Sequence, residues 1–171
     1  IDAGTVKIMQ DGVMENYTGV VLDPYRIKGQ PDARGIPMVE PELLKQWFTP
    51  APWKTVAAEL DVRPGGRCVT TMESPEGDQY PNAGCYLQVE PNRLLVFTSA
   101  MTEDFRPIAP ANGAGDLAFT ARIEIEPATD GGSRYRAIAM HAGEDACKQH
   151  ADMGFAEGWG AALDQLVTLM S

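Results

Sequence analysis

The sequence predicts an α+β domain in which a meander of short antiparallel strands curls around one C-terminal helix. Three observations predict it. Between Val56 and His141 apolar residues recur with a period of two, in runs interrupted by proline and glycine, which is the signature of half-buried strands. Most of the interruptions are too short for crossover connections, so the strands they join are antiparallel neighbours. After His141 the period changes. Phe155, Trp159, Leu163, Leu166 and Met170 recur at three- and four-residue intervals and form one face of a helix that can cover the sheet.

Each element follows in order. Thr5–Gln10 and Met14–Leu22 read as strands joined at Asp11-Gly12, and Asp23–Met38, with three prolines and two glycines, as a loop. Glu40–Phe48 reads as a short amphipathic helix with Pro41 at its first position, stopped by Pro50 and Pro52. Val56–Val62 alternates as a strand and turns at Pro64-Gly65-Gly66 into Arg67–Glu73. Pro75–Pro81 turns the chain into Gly84–Glu90, Pro91-Asn92 into Leu94–Met101, and residues 102–115 form a longer loop. Leu117–Glu126 and Ser133–His141 complete six strands, joined by a turn at Thr129–Gly132. Gly154, Gly158 and Gly160 lower helix propensity near the start of the final helix. They are expected to allow its close approach to the sheet.

Composition excludes several functions. The 171 residues carry 14 Lys and Arg against 24 Asp and Glu, a net charge of −10, and the cations are scattered. That balance argues against nucleic-acid binding and against an anionic membrane surface. No apolar run reaches the roughly 18–20 residues of a membrane helix, so membrane insertion is not expected. The length suits a single domain spanning 1–171. No signal-peptide pattern opens the chain, which starts at Ile1 rather than Met. Cys68, Cys85 and Cys147 are odd in number and widely spaced, as expected of reduced cytoplasmic thiols rather than a disulfide framework.

Four segments carry a family likeness. They are Pro41-Glu42-Leu43-Leu44-Lys45-Gln46-Trp47-Phe48, Asp61-Val62-Arg63-Pro64-Gly65-Gly66, Gly84-Cys85-Tyr86-Leu87-Gln88-Val89-Glu90-Pro91-Asn92-Arg93-Leu94, and Met153-Gly154-Phe155-Ala156-Glu157-Gly158-Trp159 followed by Leu163-Asp164-Gln165-Leu166. In this order they resemble the START-like (SRPBCC) superfamily, and within it the branch named after the C-terminal domain of the Hsp90 ATPase activator. The resemblance covers residues 40–171. It implies the helix-grip fold, a curved antiparallel sheet wrapped around a long C-terminal helix with an apolar cavity between them. Residues 1–39 depart from the pattern, lacking the early tryptophan-bearing helix.

The candidate chemistry centres on that cavity. Trp47, Phe48, Trp53, Met72, Phe97, Met101, Phe105, Phe155 and Trp159 are candidates to line it, against the plainer reading that they fill the core. Ala137 and Ala139 leave room opposite the helix. His141 ends the last strand, where an imidazole can act as acid or base or orient a ligand, with a capping or surface histidine as the bland alternative. His150 reads as solvated. In the long loop, Phe105 could close a lid and Arg106 meet a carboxylate, and Tyr135 could orient a ligand at the mouth. His141, His150, Glu144, Asp145 and Asp152 lack metal-ligand spacing, so neither a metal nor a cofactor is expected. Cys68 and Cys85 face apolar strand surfaces and read as small hydrophobes.

These readings lead first to a cytoplasmic domain that binds a small apolar or amphipathic molecule between sheet and helix. The second is a cyclase- or aromatase-like enzyme acting on a polyketide-like substrate, with His141 as acid or base. The third is a chaperone-associated interaction module, an expectation that rests on the fold likeness alone. A homodimer is compatible with all three.

Overall fold

The computed structural model describes residues 6–7, 40–91, 93–108, 117–128 and 132–170. Of the predicted strand Thr5–Gln10 only Val6–Lys7 is described; the turn at Asp11-Gly12, the predicted strand Met14–Leu22, the loop Asp23–Met38 and residues 109–115 of the long loop lie outside these residues.

A seven-stranded antiparallel sheet dominates the fold. Its strands are β1 (Val6–Lys7), β2 (Lys54–Leu60), β3 (Arg67–Glu73), β4 (Gln79–Glu90), β5 (Leu94–Thr98), β8 (Phe119–Ala128) and β9 (Gly132–His141), in the order β1-β9-β8-β5-β4-β3-β2. A two-stranded ribbon, β6 (Met101–Thr102) with β7 (Arg106–Pro107), branches from it. The helices are α1 (Pro41–Leu44), α2 (Glu144–Asp152) and α3 (Phe155–Met170). The α+β class, with a curved antiparallel sheet and a long C-terminal helix, is the one the periodicity predicts.

The pairing register explains which face is buried. Ile123 lies opposite Leu95 and Ala137, and Ile125 opposite Tyr135, so odd-numbered residues of β8 and β9 share one face. The even-numbered Arg122, Glu124 and Arg136 occupy the other, where Glu124 pairs with both arginines. Against the apolar face packs α3, whose Leu163 and Leu166, each 2% exposed, form a core cluster with Ile125, Tyr135 and Ala137. Trp47, Ile123, Trp159 and Val167 close around it. Burying two leucines fully contributes roughly 3–6 kcal/mol by apolar transfer, enough to hold the helix on the sheet.

Several boundaries differ from expectation, each for a local reason. β4 runs 12 residues and begins at Gln79 rather than Gly84. Its Pro81 sits opposite Thr71 inside the strand, a position the turn reading had given to a break. The helix over 40–48 is a single turn, α1, capped by the Glu40 carboxylate accepting from the Leu43 N–H at 3.0 Å. Of the loop 102–115, Glu103–Phe105 forms a turn with Asp104 and Phe105 in a left-handed conformation, and Arg106–Pro107 forms the second strand of the ribbon. A separate helix, α2, precedes α3, and Gly154 at φ +83° makes the break between them.

The glycines of α3 do not mediate close approach. A Cβ built on Gly158 or Gly160 would meet nothing within 4 Å. The tight glycines are in the sheet. A Cβ on Gly66 would stand 1.9 Å from the Asp61 carbonyl oxygen, and one on Gly84 2.5 Å from that of Thr98. These distances predict opposite outcomes for one substitution at two sites. Gly158→Ala should raise stability by about 0.5–1 kcal/mol through helix propensity. Gly66→Ala should lower it by about 2 kcal/mol or more, because backbone must move. Urea midpoints of the two variants check both signs.

Candidate functional site

The chemistry-bearing side chains converge where β9 ends and α2 passes over it. His141, the last residue of β9, places its Nε2 2.7 Å from the Nδ1 of His150 on α2. One ring donates and the other accepts in this bond. The His141 Nδ1 is buried and has no hydrogen-bond partner among the described residues. Aromatic rings enclose the pair: Phe155 lies 4.5 Å from His150 between centroids, and Phe119 lies 5.0 Å from His150 and 6.2 Å from His141. Beside them is a small cavity of about 10 Å³, lined by Ala139, His141, Cys147, His150 and Phe155. That volume holds one water-sized group.

The electrostatics favour a neutral His150. His150 has its pKa lowered from the ordinary 6.5, first by burial and then by the neighbouring His141 ring. His150 occupies the last turn of α2, where the helix dipole favours a cation by about 0.3–1 kcal/mol at exposed positions. Burial and the second imidazole outweigh that pull. A buried polar atom left unpaired costs about 1–3 kcal/mol, and the cavity beside this one has room for a single water-sized group. No group of three or more His, Cys, Asp and Glu residues among those described is arranged to hold a metal ion.

The other sequence-predicted residues fall in three places. Phe155, Trp159 and Tyr135 surround the inner end of the same region. Tyr135 is 5% exposed, and its hydroxyl accepts from the Trp159 indole N–H at 3.0 Å, so it is committed to the core rather than to a mouth. Burial pushes its pKa up to about 12, despite the indole hydrogen bond that favours the phenolate. Trp47 packs on the core cluster from outside, 5.7 Å from Phe48 between ring centroids. Phe97, on β5, meets Tyr86 edge-on at 6.4 Å in the middle of the sheet.

A second group sits at the β2 edge. Trp53 is 37% exposed and stacks obliquely on Tyr80 at 5.2 Å, and Tyr80 lies opposite Met72. A third belongs to the β6–β7 ribbon, which carries Met101, Phe105 and Arg106. Phe105 does not reach the His141 region. Its ring packs on Gly65, and the Asp104 N–H donates to the Gly65 carbonyl at 2.8 Å. Asp104 and Phe105 both have φ of 58°, a left-handed conformation that non-glycine residues adopt at a cost of order 1–3 kcal/mol. Arg106 is exposed.

Sequence reasoning missed two participants. His150 read as solvated, because a pair nine residues apart on a strand and a helix has no periodic signature. Gln165 was quoted only as part of a likeness. Its amide donates to the Trp47 and Thr49 carbonyls at 2.9 and 3.0 Å and accepts from the Ala51 N–H at 2.8 Å. It thus ties the segment after α1 to α3. Cys85 is buried, Cys68 half-buried and Cys147 exposed, and burial pushes the Cys68 thiol pKa up, partly offset by its hydrogen bond to Tyr86.

Comparison with known proteins places the chain. No curated protein matches it. Among solved structures, a protein from Nitrosomonas europaea shares 45% identity over 74% of this chain and 77% of its own, with a TM-score of 0.68. A protein from Mycobacterium smegmatis shares 26% identity over 78% of both chains, with a TM-score of 0.61. The AHSA1 protein of Silicibacter pomeroyi, 23% identical over 74% of this chain and 80% of its own, has a TM-score of 0.51 and carries the fold alone. No helix among the described residues is long and apolar enough to cross a membrane. Residues 38–171 match the family described as activator of Hsp90 ATPase homolog 1-like proteins, and this chain belongs to that family.

Proposed function

We propose that this domain binds a small amphipathic molecule between the concave face of the sheet and α3, with its polar group at the His141–His150 pair and its apolar part against Phe119, Ala139 and Phe155. The observation that carries this reading is the buried, unpartnered Nδ1 of His141 beside a cavity walled by aromatic rings. A site of this kind recognises a hydrogen-bonding head by direction and an apolar body by burial. The cavity of about 10 Å³ is far below the roughly 300–1,000 Å³ of ordinary ligand pockets. Binding therefore requires the cover to move. Helix α2 is the element suited to that, since none of its residues is fully buried.

One observation favours a second reading, an enzyme that uses His141 as acid or base on a polyketide-like substrate. His150 lies at hydrogen-bonding distance and can orient His141 or relay its proton. In that case His141→Ala should lower turnover of such a substrate by about 10²-fold or more. Unchanged turnover would remove this reading while leaving binding intact.

The binding reading is tested with 8-anilinonaphthalene-1-sulfonate, an amphipathic fluorescent probe, at pH 7.5. Saturable binding of one probe per chain is expected. His141→Gln should weaken it about tenfold, and Ala139→Val, which fills the cavity, should weaken it further while leaving the fold intact by circular dichroism. Binding unaffected by both substitutions would contradict the proposed site. Native mass spectrometry of the protein as purified gives an independent check, with an added small-molecule mass expected.

A further inference from the structure

Helix α2 has an unusual attachment for an element that covers a cavity. Its nine residues run between Gly143, which provides no side-chain cap, and Gly154 in a left-handed conformation. A Cβ on Gly143 would touch nothing within 4 Å, and one on Gly154 would meet only the end of the Glu157 side chain, at 3.8 Å. Neither glycine is tightly enclosed, and the ring packing on α2 comes from Phe119 and Phe155 against His150. Glu144, Asp145, Cys147, Lys148, Gln149 and Asp152 are exposed. A polar contact that joins α2 to the sheet is the 2.7 Å bond between His150 and His141.

We propose that the His141–His150 bond is an acid-released latch that holds α2 closed over the cavity between β9 and α3. The proton count of the pair makes it one. With both rings neutral, a single N–H lies between Nε2 of His141 and Nδ1 of His150, and the bond forms. One added proton goes to an outer nitrogen, and an imidazolium still donates to an imidazole. A second added proton puts N–H against N–H and two like charges at the same 2.7 Å, and the bond is lost. The closed state thus accepts at most one extra proton, and the open state, with both rings in water, accepts two.

The charges around the pair do not offset this. On α2, Glu144, Asp145, Lys148 and Asp152 are exposed, and Cys147 lines the cavity beside both rings. On β9, Arg134 and Arg136 occupy the face opposite His141, and Arg136 is held by Glu124 of β8, as is Arg122. On α3 the carboxylates Glu157 and Asp164 are exposed. Among the described residues neither ring takes part in an ion pair, so no carboxylate stabilises the doubly charged form. The depressed pKa of His150 agrees in sign: a group that resists protonation when folded supplies stability above its ordinary value of 6.5, and that stability is lost as pH falls below it. With one extra proton bound on opening, the opening equilibrium rises by up to tenfold for each pH unit below that point. What the latch guards depends on the binding reading above. The latch itself is measurable without a ligand.

Hydrogen exchange followed residue by residue at pH 7.5 and pH 5.0 tests it. Protection factors of the α2 amides should fall at least tenfold at pH 5.0 while those of β8 and β9 hold. His150→Gln, which keeps a hydrogen-bonding partner but cannot titrate in this range, should leave α2 equally protected at both pH values, and His141→Gln should do the same. Equal α2 protection in the wild type at both pH values would overturn the latch, as would a pH response that survives in both variants. Loss of protection in helix and sheet together would also overturn it, because that is global unfolding. Probe binding measured at a constant pH of 7.5 reports separately on the binding site.

Discussion

The structure depends on one constraint. An antiparallel sheet with an apolar face has to cover that face, and here a single helix does so. Leu163 and Leu166 of α3 press on Ile125, Tyr135 and Ala137, and the small side chain of Ala137 allows the contact. Everything else is arranged around this line of contact. Gln165 fastens the segment after α1 to the same helix, and the Trp159 indole satisfies the buried Tyr135 hydroxyl. The N-terminal end of the helix, at the buried Phe155, lies beside the histidine pair and the small cavity.

Much of the fold was legible in the sequence, because it is written in local periodicity. The alternation of Leu117, Phe119, Ile123 and Ile125 and the helical stripe of Phe155, Trp159, Leu163 and Leu166 follow from which side chains must leave water. The turn at Gly65-Gly66 was also readable, and its tightness has a cause: the Asp61 carbonyl stands where a side chain at Gly66 would be. Less legible was where β4 begins, since Pro81 signals a break by propensity while the pairing with β3 overrides it. The division between α2 and α3 was not anticipated, although Gly154 marks it.

The candidate site was half visible. His141 and Phe155 stood out through their positions at the end of a strand and the start of a helix. His150 did not, because its meaning comes from a tertiary contact. The aromatic set read as one lining is distributed by the sheet among separate places: Trp53 with Tyr80 at the β2 edge, Phe105 on the Gly65 turn, and Phe155 beside the histidines. Residue type and exposure cannot separate these three, since a large ring is equally useful in each. Only the register and the curvature of the sheet do.

The central claim is that a guest molecule enters beside the histidine pair. Amide chemical-shift mapping with the fluorescent sulfonate probe tests this most directly. The perturbed residues should cluster on Ala139–His141 and Cys147–Phe155, at the meeting of β9, α2 and α3. Shifts centred instead on Trp53 and Tyr80, or a spectrum that does not change at saturating probe, would contradict it.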